Sequence, residues 1–225
     1  MELKYFKKIT SGMNIPFRDL EEIDCSNITG FSTYGFRFSD CQELHTVIYD
    51  PEKVTTVEGD TFVNCPKLKM DVYFPNNTSS AVASAFSNSG IERILNTGPG
   101  TKLSGGPYTW TNFRNMPNLK YVNIPATVTG ESNLLNGGSD GGSLFQNDPS
   151  LECIIFNCPN VFTIGTSNHF NNGTQNSPFK IYVPDNLVSS YKADTYWSAF
   201  SSRIFGISQL ETDNPTYYEL WQNYN

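Results

Sequence analysis

A pattern of apolar and polar positions recurs five times along the chain and dominates its organisation. In each copy a Phe is followed two residues later by Asn or Asp, then usually by Pro or Gly, then by Leu or Ile and a short β-type run. The copies span 38–44, 62–68, 86–91, 113–119 and 145–151. Repeats at this spacing predict a stacked, β-rich solenoid, because one coil cannot bury its apolar face without its neighbours.

The spacing of the copies predicts one short strand and one return segment per coil. The opening phenylalanines, at positions 38, 62, 86, 113 and 145, are 24, 24, 27 and 32 residues apart. We expect these phenylalanines to form one internal column and the Leu or Ile residues another. The predicted strands are Thr46–Tyr49, Val72–Phe74, Tyr121–Ile124 and Cys153–Phe156. Pro soon follows three of them and ends the strand, since it lacks the amide donor that a ladder needs. The period matches that of leucine-rich repeats, about 20–29 residues.

Two polar positions of the repeat are predicted to be structural. Asn recurs at 64, 88, 115 and 147, where we expect it to form turns and to cap local backbone groups with its side chain. Cys41 and Cys65 occupy the same place in successive copies, and a column of buried thiols is the favoured interpretation. Disulfides or a metal site are the alternatives, although five cysteines cannot all pair internally.

The two ends depart from the pattern, as the caps of a repeat array must. We predict an N-terminal cap or degenerate coil over residues 1–37, the solenoid over 38–184, and a C-terminal cap with an aromatic tail over 185–225. Asp185 is expected to N-cap a short helix, and Asp194 or Thr195 to begin a second helical turn. The fold class is therefore a repeat solenoid with short strands, few short helices and a helical C-terminal cap.

Composition narrows the range of functions. Only 16% of residues are charged and the formal net charge is −7, which argues against nucleic acid, whose binding needs Lys and Arg. Neither a signal peptide nor an apolar run of membrane-spanning length is visible, so we expect no membrane insertion. His45 is predicted to lie on the exposed face of a strand and His169 in a loop, without ligand-spaced partners. We therefore expect a protein that is not an enzyme and has no metal and no cofactor.

Candidate binding residues lie in two insertions that interrupt the 24-residue rhythm, at 97–110 and 130–142, and in the C-terminal tail. Tyr108 and Trp110 are candidates for stacking on a sugar or packing on a partner, the alternative being that they cover the neighbouring coil. Tyr217, Tyr218 and Trp221 form an aromatic patch of the kind enriched at protein interfaces. Alternatively, this patch folds back to cover the last coil.

The motif Phe-x-Asn-Cys-Pro-x-Leu, seen at 62–68 and followed by a strand and a Pro, resembles the BspA-like class of bacterial leucine-rich repeats. Residues 181–200 resemble the C-terminal cap of such arrays in gut Bacteroidota and their phages. The resemblance implies a curved, non-enzymatic binding scaffold, and known members of the class include surface adhesins and recognition proteins.

With no export signal visible, the favoured prediction is a structural or attachment protein of a bacteriophage virion, made in the host cytoplasm. Its expected partners are other virion proteins or a glycan or protein of the host surface. The alternative is a bacterial cell-surface adhesin. A third class, a glycan hydrolase, needs a pair of positioned carboxylates. No pair of acidic residues in the sequence stands out as such a catalytic pair. The pattern does not predict an oligomeric state.

Overall fold

Short parallel strands of two to four residues make up most of the regular structure. The computed structural model describes residues 13–14, 18–31, 36–79, 82–103, 113–130, 144–164, 169–171 and 173–225. The strands are β1 (Met13–Asn14), β2 (Glu22–Asp24), β3 (Gly30–Phe31), β4 (Phe36–Arg37), β5 (Thr46–Ile48), β6 (Thr56–Val57), β7 (Asp71–Tyr73), β8 (Arg93–Asn96), β9 (Lys102–Leu103), β10 (Phe113–Arg114), β11 (Tyr121–Ile124), β12 (Thr129–Gly130), β13 (Phe145–Gln146), β14 (Cys153–Phe156), β15 (Phe170–Asn171), β16 (Lys180–Val183) and β17 (Ile204–Gly206). The α-helices are α1 (Val188–Ala193), α2 (Ile207–Asp213) and α3 (Pro215–Tyr224), and the 3₁₀ helices are Val82–Phe86, Thr174–Asn176, Asp185–Leu187 and Trp197–Arg203.

Six of these strands form the main sheet, in the order β7–β8–β11–β14–β16–β17, and every neighbouring pair is parallel. Parallel neighbours need a crossover, which the return segment of each repeat provides. The inward-facing residues meet in register from strand to strand and are fully buried: Val72, Ile94, Val122, Ile154, Ile181 and Ile204. The four strands predicted from β-type runs are confirmed to within one residue at each end, whereas β8 was not predicted.

The repeat geometry extends into the N-terminal segment that was predicted to be a cap or degenerate coil. β2 pairs with β5 in parallel, so that Ile23 lies beside Val47. Leu20 and Leu44, which precede these strands, are both buried. Two smaller parallel pairs, β1–β4 and β3–β6, lie in the same part of the chain. The described residues before 37 therefore pack as part of a repeat, and the boundary at residue 37 stays a prediction.

The predicted internal positions are confirmed as buried, and the phenylalanines form two stacks, 38–62–86 and 113–145–170, so that a single column of phenylalanines stays a prediction. The aliphatic column is fully buried and consists of Leu44, Leu68, Ile91, Leu119 and Leu151. The phenylalanines stack in the pairs Phe38–Phe62, Phe62–Phe86, Phe113–Phe145 and Phe145–Phe170, with ring centroids 5.5 to 5.7 Å apart. Stacked aromatic pairs contribute about 0.5–1.5 kcal/mol beyond the burial of their area. Apolar contacts between equivalent positions therefore hold successive repeats together.

The asparagine column forms turns, as predicted, but its side chains do more than cap local backbone. The four residues at 64, 88, 115 and 147 have φ between 53° and 61°, the left-handed region that side-chain-bearing residues rarely adopt. Asn88 Nδ2 donates a hydrogen bond to Asn64 Oδ1 at 2.9 Å, and Asn147 Nδ2 donates to Asn115 Oδ1 at 3.1 Å. Asn64 Nδ2 in turn donates to Asp40 Oδ1 at 2.8 Å. These amide bonds join neighbouring repeats, a role that a local capping rule does not predict.

The predicted thiol column is confirmed, and the same repeat position later holds a buried carboxyl group. All five cysteines are buried and none is in a disulfide, and Cys65 Sγ donates to the carbonyl oxygen of Phe38 at 3.0 Å. Asp148, three residues after Phe145 as Cys65 is after Phe62, is fully buried. Its Oδ1 accepts a hydrogen bond from the Met116 backbone N–H at 2.8 Å, while its Oδ2 has no partner among the described residues. Burial raises the pKa of Asp148 to about 8, because desolvation disfavours the charged form.

The C-terminal cap is helical, as predicted, but the Asp185 side chain does not cap the helix that follows it. Asp185 is the first residue of a 3₁₀ helix without a side-chain cap, and its carboxylate accepts a hydrogen bond from Ser208 Oγ at 2.7 Å. The prediction for Asp194 is confirmed, since its Oδ1 accepts from the backbone N–H groups of Tyr196 and Trp197 at 2.9 and 3.1 Å. The Asp185 side chain therefore ties two parts of the cap together instead of capping the helix that it begins.

These elements establish a β-rich repeat fold with parallel strands and few short helices. The described strands fall into six separate sheets. A continuous, closed solenoid therefore stays a prediction.

Substitutions at Asn64 should separate the cost of its backbone conformation from that of its side-chain ladder. Asn64→Gly removes the ladder but accepts a φ of 59°, whereas Asn64→Ala also places a Cβ in the left-handed region. We expect the Ala variant to have a free energy of unfolding about 1 kcal/mol below that of the Gly variant, measured by urea denaturation. At the exposed Lys69, which has no positive φ, the order of Ala and Gly should reverse. Equal stabilities of the two variants at position 64 would contradict this account.

The raised pKa of Asp148 predicts that the free energy of unfolding falls as the pH rises. Its folded-state pKa of about 8 lies above the ordinary value of 3.8, so the folded protein holds this proton more tightly than the unfolded chain. Its contribution to the free energy of unfolding should be complete below about pH 4 and decline towards about pH 8, by at most about 1.4 kcal/mol per pH unit. Asp148→Asn cannot ionise, so its urea denaturation curves should show a flatter pH dependence than wild type. Met116→Leu, in the same column, should change stability without changing that slope; an Asp148→Asn protein with the wild-type slope would disprove the assignment.

Candidate functional site

The outer face of the main sheet is the surface on which the candidate tail residues lie. Side chains of a strand alternate between two faces, so the residues between those of the inward column point outward. Several of these outward residues are nevertheless buried: Leu95, Tyr121, Asn123, Cys153, Ile155 and Tyr182. β11 and β14 are buried at all four of their positions, as expected of strands covered on both faces.

The helices α2 and α3 cover this outer face by folding back over the sheet. α2 buries Ile207 and Leu210 in the same cluster as the outward residues. A single residue, Asn214, separates the two helices, and its side-chain oxygen accepts a hydrogen bond from the Tyr217 backbone N–H at 3.1 Å. Pro215 is the first residue of α3. An Asn N-cap followed by Pro at the first helical position is a strong start signal, so the local sequence sets where α3 begins.

Aromatic residues of α3 contact widely separated repeats. Tyr217 packs on Tyr121 of β11 with ring centroids 5.1 Å apart, and its hydroxyl donates to Glu152 Oε2 at 2.8 Å. Tyr224, two helical turns later on the same side of α3, packs edge-on against Tyr73 of β7 with centroids 4.9 Å apart. α3 therefore crosses the outer face towards β7, the edge strand of the main sheet.

The structure places all three tail candidates against the protein's own sheet. Tyr218 and Trp221 pack on each other with ring centroids 5.5 Å apart and belong, with Tyr217, to the cluster on the outer face. Each of the three is half-buried, so part of its ring remains accessible. A contact between these residues and a partner stays a prediction. Tyr108 and Trp110 lie outside the described residues.

The covered outer face holds polar atoms without a hydrogen-bond partner. Among the described residues these are Tyr121 Oη, Asn123 Oδ1 and Trp221 Nε1. Burial also raises the pKa of Tyr121. A buried polar atom without a partner costs about 1–3 kcal/mol, so the contact between α3 and the sheet is weaker than its aromatic area alone indicates.

Ion pairs lie beside the covered surface. Lys180 Nζ lies 2.7 Å from Asp213 Oδ2 at the end of α2, and the Tyr182 hydroxyl donates to the same oxygen at 2.9 Å. The hydrogen bond from Lys180 lowers the pKa of Asp213. Arg93 Nε lies 2.6 Å from Asp71 Oδ1. Exposed pairs of this kind contribute at most about 1 kcal/mol each, so they orient the helix end and the strand edge more than they stabilise the fold.

A cavity of about 320 Å³ lies beside β7 and β8 and is lined by Lys69, Met70, Asp71, Gly90, Glu92 and Arg93. Three of its charged groups form ion pairs: Arg93 with Asp71, and Glu92 with Lys120 at 2.9 Å. Within the described ranges, no group of three or more His, Cys, Asp or Glu residues is arranged to hold a metal ion. The described residues therefore supply no metal centre in this cavity.

The two histidines differ from their predicted surroundings. His45, predicted on an exposed strand face, is half-buried directly before β5, with Nδ1 2.9 Å from Thr46 Oγ1. His169 lies in a turn, as predicted, but is fully buried. Its carbonyl oxygen accepts a hydrogen bond from the Phe145 backbone N–H at 2.9 Å, which fixes this turn against the preceding repeat.

Sequence reasoning identified the tail aromatics but missed the surface beneath them. The available signal was the absence of polar alternation in β11 and β14, since apolar residues at successive strand positions indicate two covered faces. The cover does not extend over the whole array, because Ile48 of β5 is 51% exposed. The outer face is thus covered over the main sheet and accessible at Ile48.

Comparison with known proteins agrees with the repeat architecture. Residues 16–105 and 36–139 match the model of the BspA type leucine rich repeat region, with six copies. Together these ranges cover more than half of the 225 residues. No curated protein matches the chain. In the part of the chain that the structure describes, the helices are too short or too polar to cross a bilayer.

Proposed function

Because the chain belongs to the BspA-type leucine-rich-repeat family, we propose that it is a non-enzymatic scaffold that binds other proteins. The proposal rests on one observation, that the motif residues serve to build the fold. The Phe, Leu and Ile positions fill buried columns, and the Asn positions make left-handed turns. These residues hold the repeats together. We therefore expect partners to bind at the surfaces where insertions interrupt the repeat period. Repeats stacked in one solenoid would present such surfaces over an extended length.

Within this class we assign the protein to a bacteriophage particle, as a structural or attachment component. The resemblance of residues 181–200 to array caps in gut Bacteroidota and their phages supports this assignment. The partners would be other virion proteins, or a glycan or protein on the host surface. The second candidate is a bacterial cell-surface adhesin, because the repeat class also contains surface adhesins.

Mass spectrometry of purified virions and of host membrane fractions distinguishes the two locations. The virion assignment predicts peptides of this chain in particles purified by density gradient, with an abundant host cytoplasmic protein as the control for contamination. Detection in membrane fractions alone would overturn the virion assignment and favour the adhesin.

We predict that Tyr108 and Trp110 contribute to binding rather than to stability. Replacing both with Ala should leave the midpoint of thermal unfolding nearly unchanged, because the proposal places them on a working loop outside the core. Binding of the labelled protein to intact host bacteria should weaken more than about tenfold, since truncation of an aromatic hot spot costs about 2 kcal/mol or more.

Tyr196→Ala, at an aromatic residue of the cap that is 36% exposed, is the matched control and should change neither quantity. A large loss of thermal stability in the double variant would instead assign Tyr108 and Trp110 to the core.

A further inference from the structure

The helix α3 is defined by its own sequence and joined to the rest of the chain through one residue. Asn214 caps it by accepting from the Tyr217 backbone N–H, and Pro215 occupies its first position. Pro215 also prevents α2 and α3 from merging into one continuous helix, because its ring would clash with a carbonyl in the preceding turn. α3 can therefore move as a unit about Asn214.

The contact between α3 and the sheet is broad but incompletely satisfied. None of the ten residues of α3 is fully buried. Trp221 Nε1 has no hydrogen-bond partner among the described residues, and neither does Tyr121 Oη of the covered face. Unpaired buried polar atoms lower the free energy needed to lift the helix off the sheet.

A released α3 needs another surface on which to dock. A helix of ten residues is marginal in water on its own, since isolated helices shorter than about 12–15 residues rarely persist. Its release also uncovers Leu95, Tyr121 and Ile155, which are buried in the docked form. Docking on an apolar partner of matching shape therefore lowers the free energy of both the helix and the face that it leaves, because it buries their apolar surface again.

We propose that this partner is a second copy of the chain, and that two molecules exchange α3 reciprocally, each helix docking on the outer face of the other. The face is already complementary to α3 through the packing of Tyr217 on Tyr121, the bond from Tyr217 to Glu152 and the packing of Tyr224 on Tyr73. An exchanged dimer reproduces these contacts, so it needs no new interface and only a changed backbone at Asn214. A one-residue connection favours exchange, because short hinges invite domain swapping. Concentration then decides between the closed monomer and the exchanged dimer.

A mixed cross-linking experiment tests the exchange directly. Tyr73→Cys and Tyr224→Cys are made as two separate variants, mixed, unfolded in urea, refolded at several concentrations and treated with a short bismaleimide. In the closed monomer the two new thiols belong to different molecules that do not contact each other. In the exchanged dimer, position 224 of one molecule lies at position 73 of the other, so a covalent product of twice the 25.2 kDa chain mass should increase with concentration.

Two controls set the background. The wild-type protein, whose five cysteines are buried, reports cross-linking through native thiols. Mixing Tyr73→Cys with Tyr196→Cys, at a partly exposed site outside α3, reports random collision. A Tyr73→Cys and Tyr224→Cys mixture that gives no more covalent dimer than this collision control overturns the proposal.

Light scattering of refolded protein provides a second test that needs no cysteine variant. Wild-type protein refolded at high concentration should contain a species of twice 25.2 kDa, and protein refolded at low concentration should not. Insertion of a flexible Gly-Ser linker between Asp213 and Asn214 eases folding back and should reduce the dimer fraction several-fold. A wild-type mass of 25.2 kDa at every refolding concentration, or a dimer fraction unaffected by the linker, contradicts exchange through α3.

Discussion

Contact between equivalent positions of successive repeats is the constraint on which the rest of the structure depends. A single repeat offers only short strands of two to four residues, far too little surface to bury its own apolar side chains. Val122 is buried because Ile94 lies beside it on one side and Ile154 on the other. The parallel register follows from this requirement, because a shift of one residue would turn every inward side chain to the outer face. Strand length, turn conformation and the positions of the prolines are all adapted to this register.

The elements that were predictable from the sequence are those encoded within one repeat and copied into the next. The columns of Phe and Leu follow directly from the period, and the strands follow from short β-type runs. Asp148 was within reach of the same reasoning, because it lies three residues after Phe145 as Cys65 lies three residues after Phe62. Its burial was missed because an isolated Asp in a turn is ordinarily exposed, and only its place in the column indicates otherwise.

Features that join distant parts of the chain were harder to predict from the sequence. The amide ladder from Asn88 to Asn64 depends on how closely two turns approach, which the residues of one turn do not determine. The bond between Asp185 and Ser208 likewise joins segments that are 23 residues apart. The docking of α3 was one of two alternatives for the tail, and choosing between them requires knowing that the outer face of β11 is apolar and needs cover. Local rules therefore explain the repeat unit, and packing between units explains the departures from those rules.

The packing of α3 across the sheet also affects the order in which parts of the molecule can fold. Asn96 Nδ2 donates to the carbonyl oxygen of Tyr224 across 128 residues of chain, at 3.4 Å. Contacts between neighbouring repeats span only one period, so they can form while later repeats are still being synthesised. The ribosome delivers α3 after every strand that it covers. Until then the outer face of a growing sheet, with Leu95 and Tyr121 uncovered, is available to chaperones and to other nascent chains.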